Sequence, residues 1–256
     1  MKIIFLVIIF NCFYSLCFSQ FKMNDTTFLV REVKDSFEMK RTLGYGYNFY
    51  HAIYFERNKN AKEYDWIKDF GFEELYGKKE YQRDINETKK ILKTKLKKVP
   101  LKGIITKWCV LNSYKDSFYM YSPSDYCYNY QIEVTDSVVI DKGCERTFDF
   151  LDTIIKKSSI LYQLKFKPAI GPSNHKKYIR TVNIYIINSK EGIAVFEDNR
   201  FNEKHYNLMV NANNVKHFPL IVNYCITDKT GEFEFDKIDF QKLIKQSTER
   251  TSVRRN

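Results

Sequence analysis

The sequence predicts an α+β protein: an antiparallel β-sheet with a helical N-terminal region and a C-terminal covering helix. Three observations carry this. Helix formers dominate from Ala61 to Lys98, the apolar period shifts toward two after Pro100, and the chain closes on a capped amphipathic segment. The boundaries that follow are 1–19 for a leader, 20–100 for a mixed and largely helical region, and 101–250 for a β-rich region with its C-terminal helix. Regions 20–100 and 101–250 read as one globular unit, and 251–256 as a disordered tail.

The leader has the form of a cleaved signal peptide. Lys2 supplies a short positive start, Ile3 to Phe10 is unbroken apolar sequence, and Cys17 and Ser19 put small side chains at the −3 and −1 positions of a cut before Gln20. Asn11 and Ser15 interrupt the stretch from Ile3 to Phe18, which is short against the ~20 apolar residues a membrane span needs. The expected address is therefore periplasmic or extracellular, with no transmembrane span after cleavage.

In the helical region, Ile85, Leu92 and Leu96 form a narrow apolar stripe among Lys89, Lys90, Lys93, Lys95, Lys97 and Lys98. Pro100 stops it. Beyond Pro100, the strands are Ile104–Leu111, Ser117–Tyr121, Gln131–Thr135, Val138–Ile140 and Lys177–Asn188. The turn from Ser189 to Gly192 leads into Ile193–Glu197, which makes an antiparallel hairpin. A second hairpin is expected between Leu220–Thr227 and Glu232–Phe235, whose acids (Glu232 and Glu234) would face solvent and whose rings would face the core. Phe148, Leu151, Ile154 and Ile155 suit a helix, with a strand following from Ser159 to Phe166. At the end, Asp236 reads as an N-cap, and Phe240, Leu243 and Ile244 fall on one helical face.

An alternative architecture rests on Trp108. A Trp in a first strand, followed by antiparallel hairpins and a closing helix, looks like a lipocalin-type barrel. Thr106 stands where that family's motif has Gly, and the long N-terminal segment has no counterpart in the pattern.

Chemistry is less legible than architecture. The formal net charge is +11, of which Lys2 would leave with the leader, so the surface favours anionic partners; an exported chain meets envelope anions before nucleic acid. Cys109, Cys127, Cys144 and Cys225 remain after cleavage, an even count that allows two disulfides in an oxidising compartment. Their spacing matches no short metal template, and His51, His175, His205 and His217 form no helical metal motif. A loop could still bring His205 and His217 together. No nucleophile elbow, phosphate loop or thiol-hydrolase signature is present, and no cofactor is expected.

Two surfaces stand out as binding candidates. One is the tyrosine group Tyr119, Tyr121, Tyr126, Tyr128 and Tyr130 around Pro123 and Asp125, whose rings suit stacking on a sugar or a protein. The other is the anionic-surface candidate Lys89, Lys90, Lys93 and Lys97. The expected function is a non-enzymatic binding or interaction protein of the cell envelope, its partner a polysaccharide, an anionic lipid surface or a protein. A secreted or periplasmic hydrolase with scattered site residues is the alternative.

Overall fold

The computed structural model describes residues 27–32, 51–69, 82–83, 85–87, 89–90, 96–143, 146–167, 169–170, 177–178, 180–200, 203–225 and 231–253. The fold is mostly antiparallel β with few helices. Eight strands close into a barrel: β3 (Lys107–Val110), β6 (Gln131–Val134), β7 (Val138–Lys142), β8 (Arg146–Lys156), β9 (Leu161–Phe166), β12 (Thr181–Asn188), β13 (Ile193–Arg200) and β14 (Glu203–Asn211). They follow one another around the wall in chain order, every pair antiparallel, until β14 returns to β3. The two-residue strands β10 (Ala169–Ile170) and β11 (Lys177–Tyr178) pair outside the barrel, between β9 and β12 in the chain. The barrel alternative thus describes the β region better than an open sheet backed by helices.

Alternation fills the barrel. Inward side chains from all eight strands form one cluster that includes Trp108, Ile132, Leu164, Ile184, Phe196 and Met209. Trp108 meets Phe196 edge-on at 5.2 Å and donates to the carbonyl of Ile105 at 2.8 Å. Val99 and Ile104 join the same cluster, so the chain before β3 covers one end. Such a core resembles a packed eight-stranded barrel rather than an open cup. The outer wall carries polar side chains such as Glu133, Lys142, Gln163 and Lys165 beside apolar ones such as Ile140 and Val195, which pack against Ile85 and the second sheet respectively.

A second sheet lies against the outside. Its order is β1 (Thr27–Glu32), β2 (His51–Glu56), β15 (Leu220–Cys225), β5 (Ser117–Ser122) and β4 (Asn112–Tyr114), with β15 and β5 parallel and the other pairs antiparallel. β4 and β5 leave the barrel between β3 and β6, and β15 follows the barrel's last strand after a 3-10 turn over Ala212–His217. The inner face of this sheet (Ala52, Tyr54, Met120, Leu220) packs on outward residues of β13 and β14 such as Val195 and Leu208. The region before Pro100, expected to be largely helical, therefore contributes two strands as well as helix α1 (Lys62–Asp69). Helix α2 (Phe240–Val253) adds Phe240, Leu243 and Ile244 to this packing, as their spacing predicts.

Three local expectations are corrected. Residues 148–156 belong to β8, not a helix. A bulge between Leu151 and Thr153 returns Ile154 to the barrel interior after three residues, and that step imitates a helical repeat. Glu232–Phe235 forms no strand: it is an extended strap whose rings pack on the outer face of the second sheet. The cap of α2 is Asp239, whose Oδ1 accepts from Lys242 N at 3.0 Å. Asp236 instead accepts from Lys115 N at 2.6 Å and ties the strap to the β4–β5 turn.

Candidate functional site

Local sequence sets up a cleft of about 520 Å³ beside the second sheet. Ala61 just before α1 and Tyr64 and Ile67 within it recur at every third position and are buried, which leaves Lys62, Glu63 and Trp66 on other faces. The buried side of α1 is anchored: Tyr64 donates to the Phe218 carbonyl at 2.8 Å, and Lys59 donates to the same oxygen at 2.5 Å. Burial, then the charge of Glu56, pushes the Tyr64 hydroxyl up to about 12. At the helix end, the Ile67 carbonyl accepts from Gln131 and from Cys109 Sγ. The cleft side stays open, and Trp66 keeps 36% of its surface in solvent.

The opposite wall comes from the parallel pair. β5 and β15 end side by side, so Ser122, Pro123 and Ser124 face the region of Val222, Asn223, Tyr224 and Cys225. Glu232 of the strap fixes this wall. Its Oε1 accepts from Ser124 Oγ and Asp125 N, both at 2.8 Å, while its Oε2 accepts from Asn223 Nδ2 at 3.1 Å and from the Tyr121 hydroxyl. Asn223 extends the network, with its Oδ1 2.9 Å from His51 Nε2. Burial and the bond to Glu232 raise the Tyr121 pKa. Glu232, expected to face solvent, is the hub of the strap's attachment.

The thiol of Cys225 lies across from His51 in the β15–β2 register. That pairing does not make a nucleophile and base. His51 directs Nε2 to Asn223 and holds Nδ1 3.8 Å from Glu32, so both ring nitrogens are engaged away from the sulfur.

A second polar cluster closes the barrel end opposite Val99. Arg180, 2% exposed, donates to Asp149 at 2.7 Å and to Asp198 at 2.6 Å, forms an ion pair with Asp141 at 3.0 Å, and lies 4.9 Å from the centroid of the Phe166 ring. Arg200 adds a 2.9 Å contact to Asp141. Burial alone would lower the Arg180 pKa, but the three aspartates reverse the sign and raise it. Every group is matched by an opposite charge, and Asp141, Asp149, Arg180 and Asp198 tie β7, β8 and β13 to the start of β12. This is an internal fastening.

The four candidate tyrosines with described side chains do not share one surface. Tyr119 packs on Phe55 at 5.5 Å and Tyr121 is buried beneath the strap. Tyr128 is 60% exposed, whereas Tyr130 is directed toward Asp141 at the fastening, where burial first, and then that carboxylate, raises its pKa. The Tyr126 side chain lies outside the described residues. In the basic segment, Ile85 packs on Val138 and Phe150 of the barrel wall, Lys89 is half-buried, and Lys90 and Lys97 are exposed. Lys93 lies outside the described residues.

Cys127 is disulfide-bonded, Cys109 is a buried thiol, Cys225 a half-buried one, and Cys144 lies outside the described residues. Of the four cysteines that the even count allows to pair, Cys109 and Cys225 are thiols, and Cys127 is the one half-cystine among the described residues. His205 and His217 are held apart by the length of β14, each beside a glutamate, Glu203 and Glu191. His175 lies outside the described residues, among which no group of three His, Cys, Asp or Glu side chains could hold a metal ion. Sequence reasoning missed Trp66 and Asn223. The signal for Trp66 was available, since the 61–64–67 stripe leaves it off the buried face. Asn223 gave none.

Compared with family models, with curated proteins and with solved structures, the chain matches none of them.

Proposed function

We propose that this chain is an exported, non-enzymatic binding protein of the cell envelope, and that its ligand sits in the cleft between α1 and the ends of β5 and β15. The observation that carries the reading is Trp66. A large ring held part-exposed at the rim of a cavity of about 520 Å³ is what a small-molecule seat presents, and the volume lies in the usual range of roughly 300–1,000 Å³. Export is supported by the leader pattern and by the cystine at Cys127, since disulfides persist in oxidising compartments. The likeness to a lipocalin-type barrel is one of strand arrangement; with the barrel interior packed, the ligand seat is placed outside it.

Intrinsic fluorescence tests the reading directly. Only two Trp exist, and Trp108 is 1% exposed in the barrel. In a screen of small polar and aromatic fragments by ligand-observed NMR, hits should perturb Trp66 emission saturably. Trp66→Ala should abolish their binding while leaving circular dichroism unchanged. Hits that bind Trp66→Ala as well as the parent, or no hits at all, would overturn the assignment.

A further inference from the structure

Resting on that cleft as the ligand seat, we infer that its ligand is a neutral saccharide, a short oligosaccharide or the end of a longer glycan. Charge points to a neutral ligand. The chain carries a net +11, yet among the described residues the lining of the cleft has one cation and one anion, Lys62 and Glu63, which offset each other. A seat for a polyanion would concentrate the positive surface instead of cancelling it. Neither residue forms an ion pair among the described residues, so both heads are available to a ligand.

Surface types also alternate along the lining. Trp66, Pro123 and Tyr224 contribute apolar ring surface, while Ser122 and Ser124 contribute short hydroxyl-bearing side chains beside them. A pyranose has the complementary character: C–H faces that lie on aromatic rings, and an edge of hydroxyls that both donate and accept. The Glu63 carboxylate can accept from adjacent hydroxyls and the Lys62 ammonium can donate to them, with no charge needed on the ligand.

Rigidity favours a saccharide as well. Ser124 and Asn223 are held by Glu232, and Asn223 also by His51, so the wall opposite Trp66 is fixed before any ligand arrives. Preorganisation matters for a saccharide, because each hydroxyl gives up water to bind and only the surplus appears as affinity.

The test is titration of the full chain with maltotriose, cellotriose and triacetylchitotriose, followed by Trp66 emission and calorimetry at low and high salt. At least one trisaccharide should bind saturably. Its Kd should change less than twofold with salt, because a neutral ligand leaves no charge pair to screen. Trp66→Ala should weaken it roughly tenfold or more, as loss of a stacked ring does, and Glu63→Gln, a surface change that spares the fold, should weaken it severalfold. Failure of every trisaccharide, while an aromatic fragment or a tripeptide still perturbs Trp66, would overturn the saccharide assignment and leave the cleft standing as a ligand seat. Salt-sensitive binding of sulfated glycans alone would also overturn it. Silence from every probe would remove both readings.

Discussion

Arg180 grips Asp198 through three contacts, Nε to both carboxylate oxygens at 3.0 Å and Nη2 to Oδ2 at 2.6 Å. The pair joins the start of β12 to β13 at one end of the barrel and draws Asp141 and Asp149 into the same network. Removing the guanidinium would leave these carboxylates crowded and under-compensated. Arg180→Ala is therefore expected to cost about 3–5 kcal/mol, the scale for breaking one partner out of a buried ion pair. Urea unfolding of the two proteins measures this; a loss below about 1 kcal/mol, the scale of a surface pair, would contradict the fastening role.

Glu232 organises the strap. Without its carboxylate, the Tyr121 hydroxyl and the Asn223 amide lose an acceptor, and the turn after β5 loses two short bonds. Glu232→Ala should destabilise by about 2–3 kcal/mol, given the worth of hydrogen bonds to a charged group. It should also raise acrylamide quenching of Trp66 while Trp108 stays protected. Unchanged quenching would mean that the strap does not shape the cleft.

Alkaline pH should unfold the protein through its buried phenols. Tyr64 is raised from 10.0 to about 12, and Tyr121 and Tyr130 are raised as well, burial being the first cause in each. A raised folded-state value means that the native state holds the proton more tightly than the unfolded chain. Stability is then complete below pH 10 and falls as pH rises toward 12 and beyond. Tm recorded across this range should drop with tyrosinate absorbance appearing at the transition, and Tyr64→Phe should make the drop shallower. A flat Tm up to pH 12 would refute it.

Gly192 turns β12 into β13 with φ +68°, and a Cβ there would come within 2.8 Å of Asn211 Cβ. Both backbone strain and the collision act against a side chain, so Gly192→Ala should cost about 2 kcal/mol, more than the usual Gly-to-Ala gain. Thermal unfolding decides the matter, and a neutral result would show that the turn relaxes freely.

Much of the strand set was readable because half-buried strands must alternate. β12, β13 and the hairpin between them follow from β-branched and aromatic runs interrupted by a turn ending in Gly192. The apolar face of α2 is equally local, since Phe240, Leu243 and Ile244 lie within two turns of one another. β8 misled because its bulge is written in the pairing with β9, not in its own period.

By itself, then, the sequence determined most of the barrel strands, the apolar face of α2 and the excess of positive charge, all of which are legible from residues near one another in the chain or from composition. Tertiary structure alone decided that the strands close into a barrel, that the candidate tyrosines part company, and that a cleft opens beside the second sheet. The reason is range. Glu232 reaches Ser124 across 108 residues and His51 reaches Asn223 across 172, and no local period encodes such pairs. They exist only once β2, β15 and β5 have paired in the second sheet and the strap has packed across it.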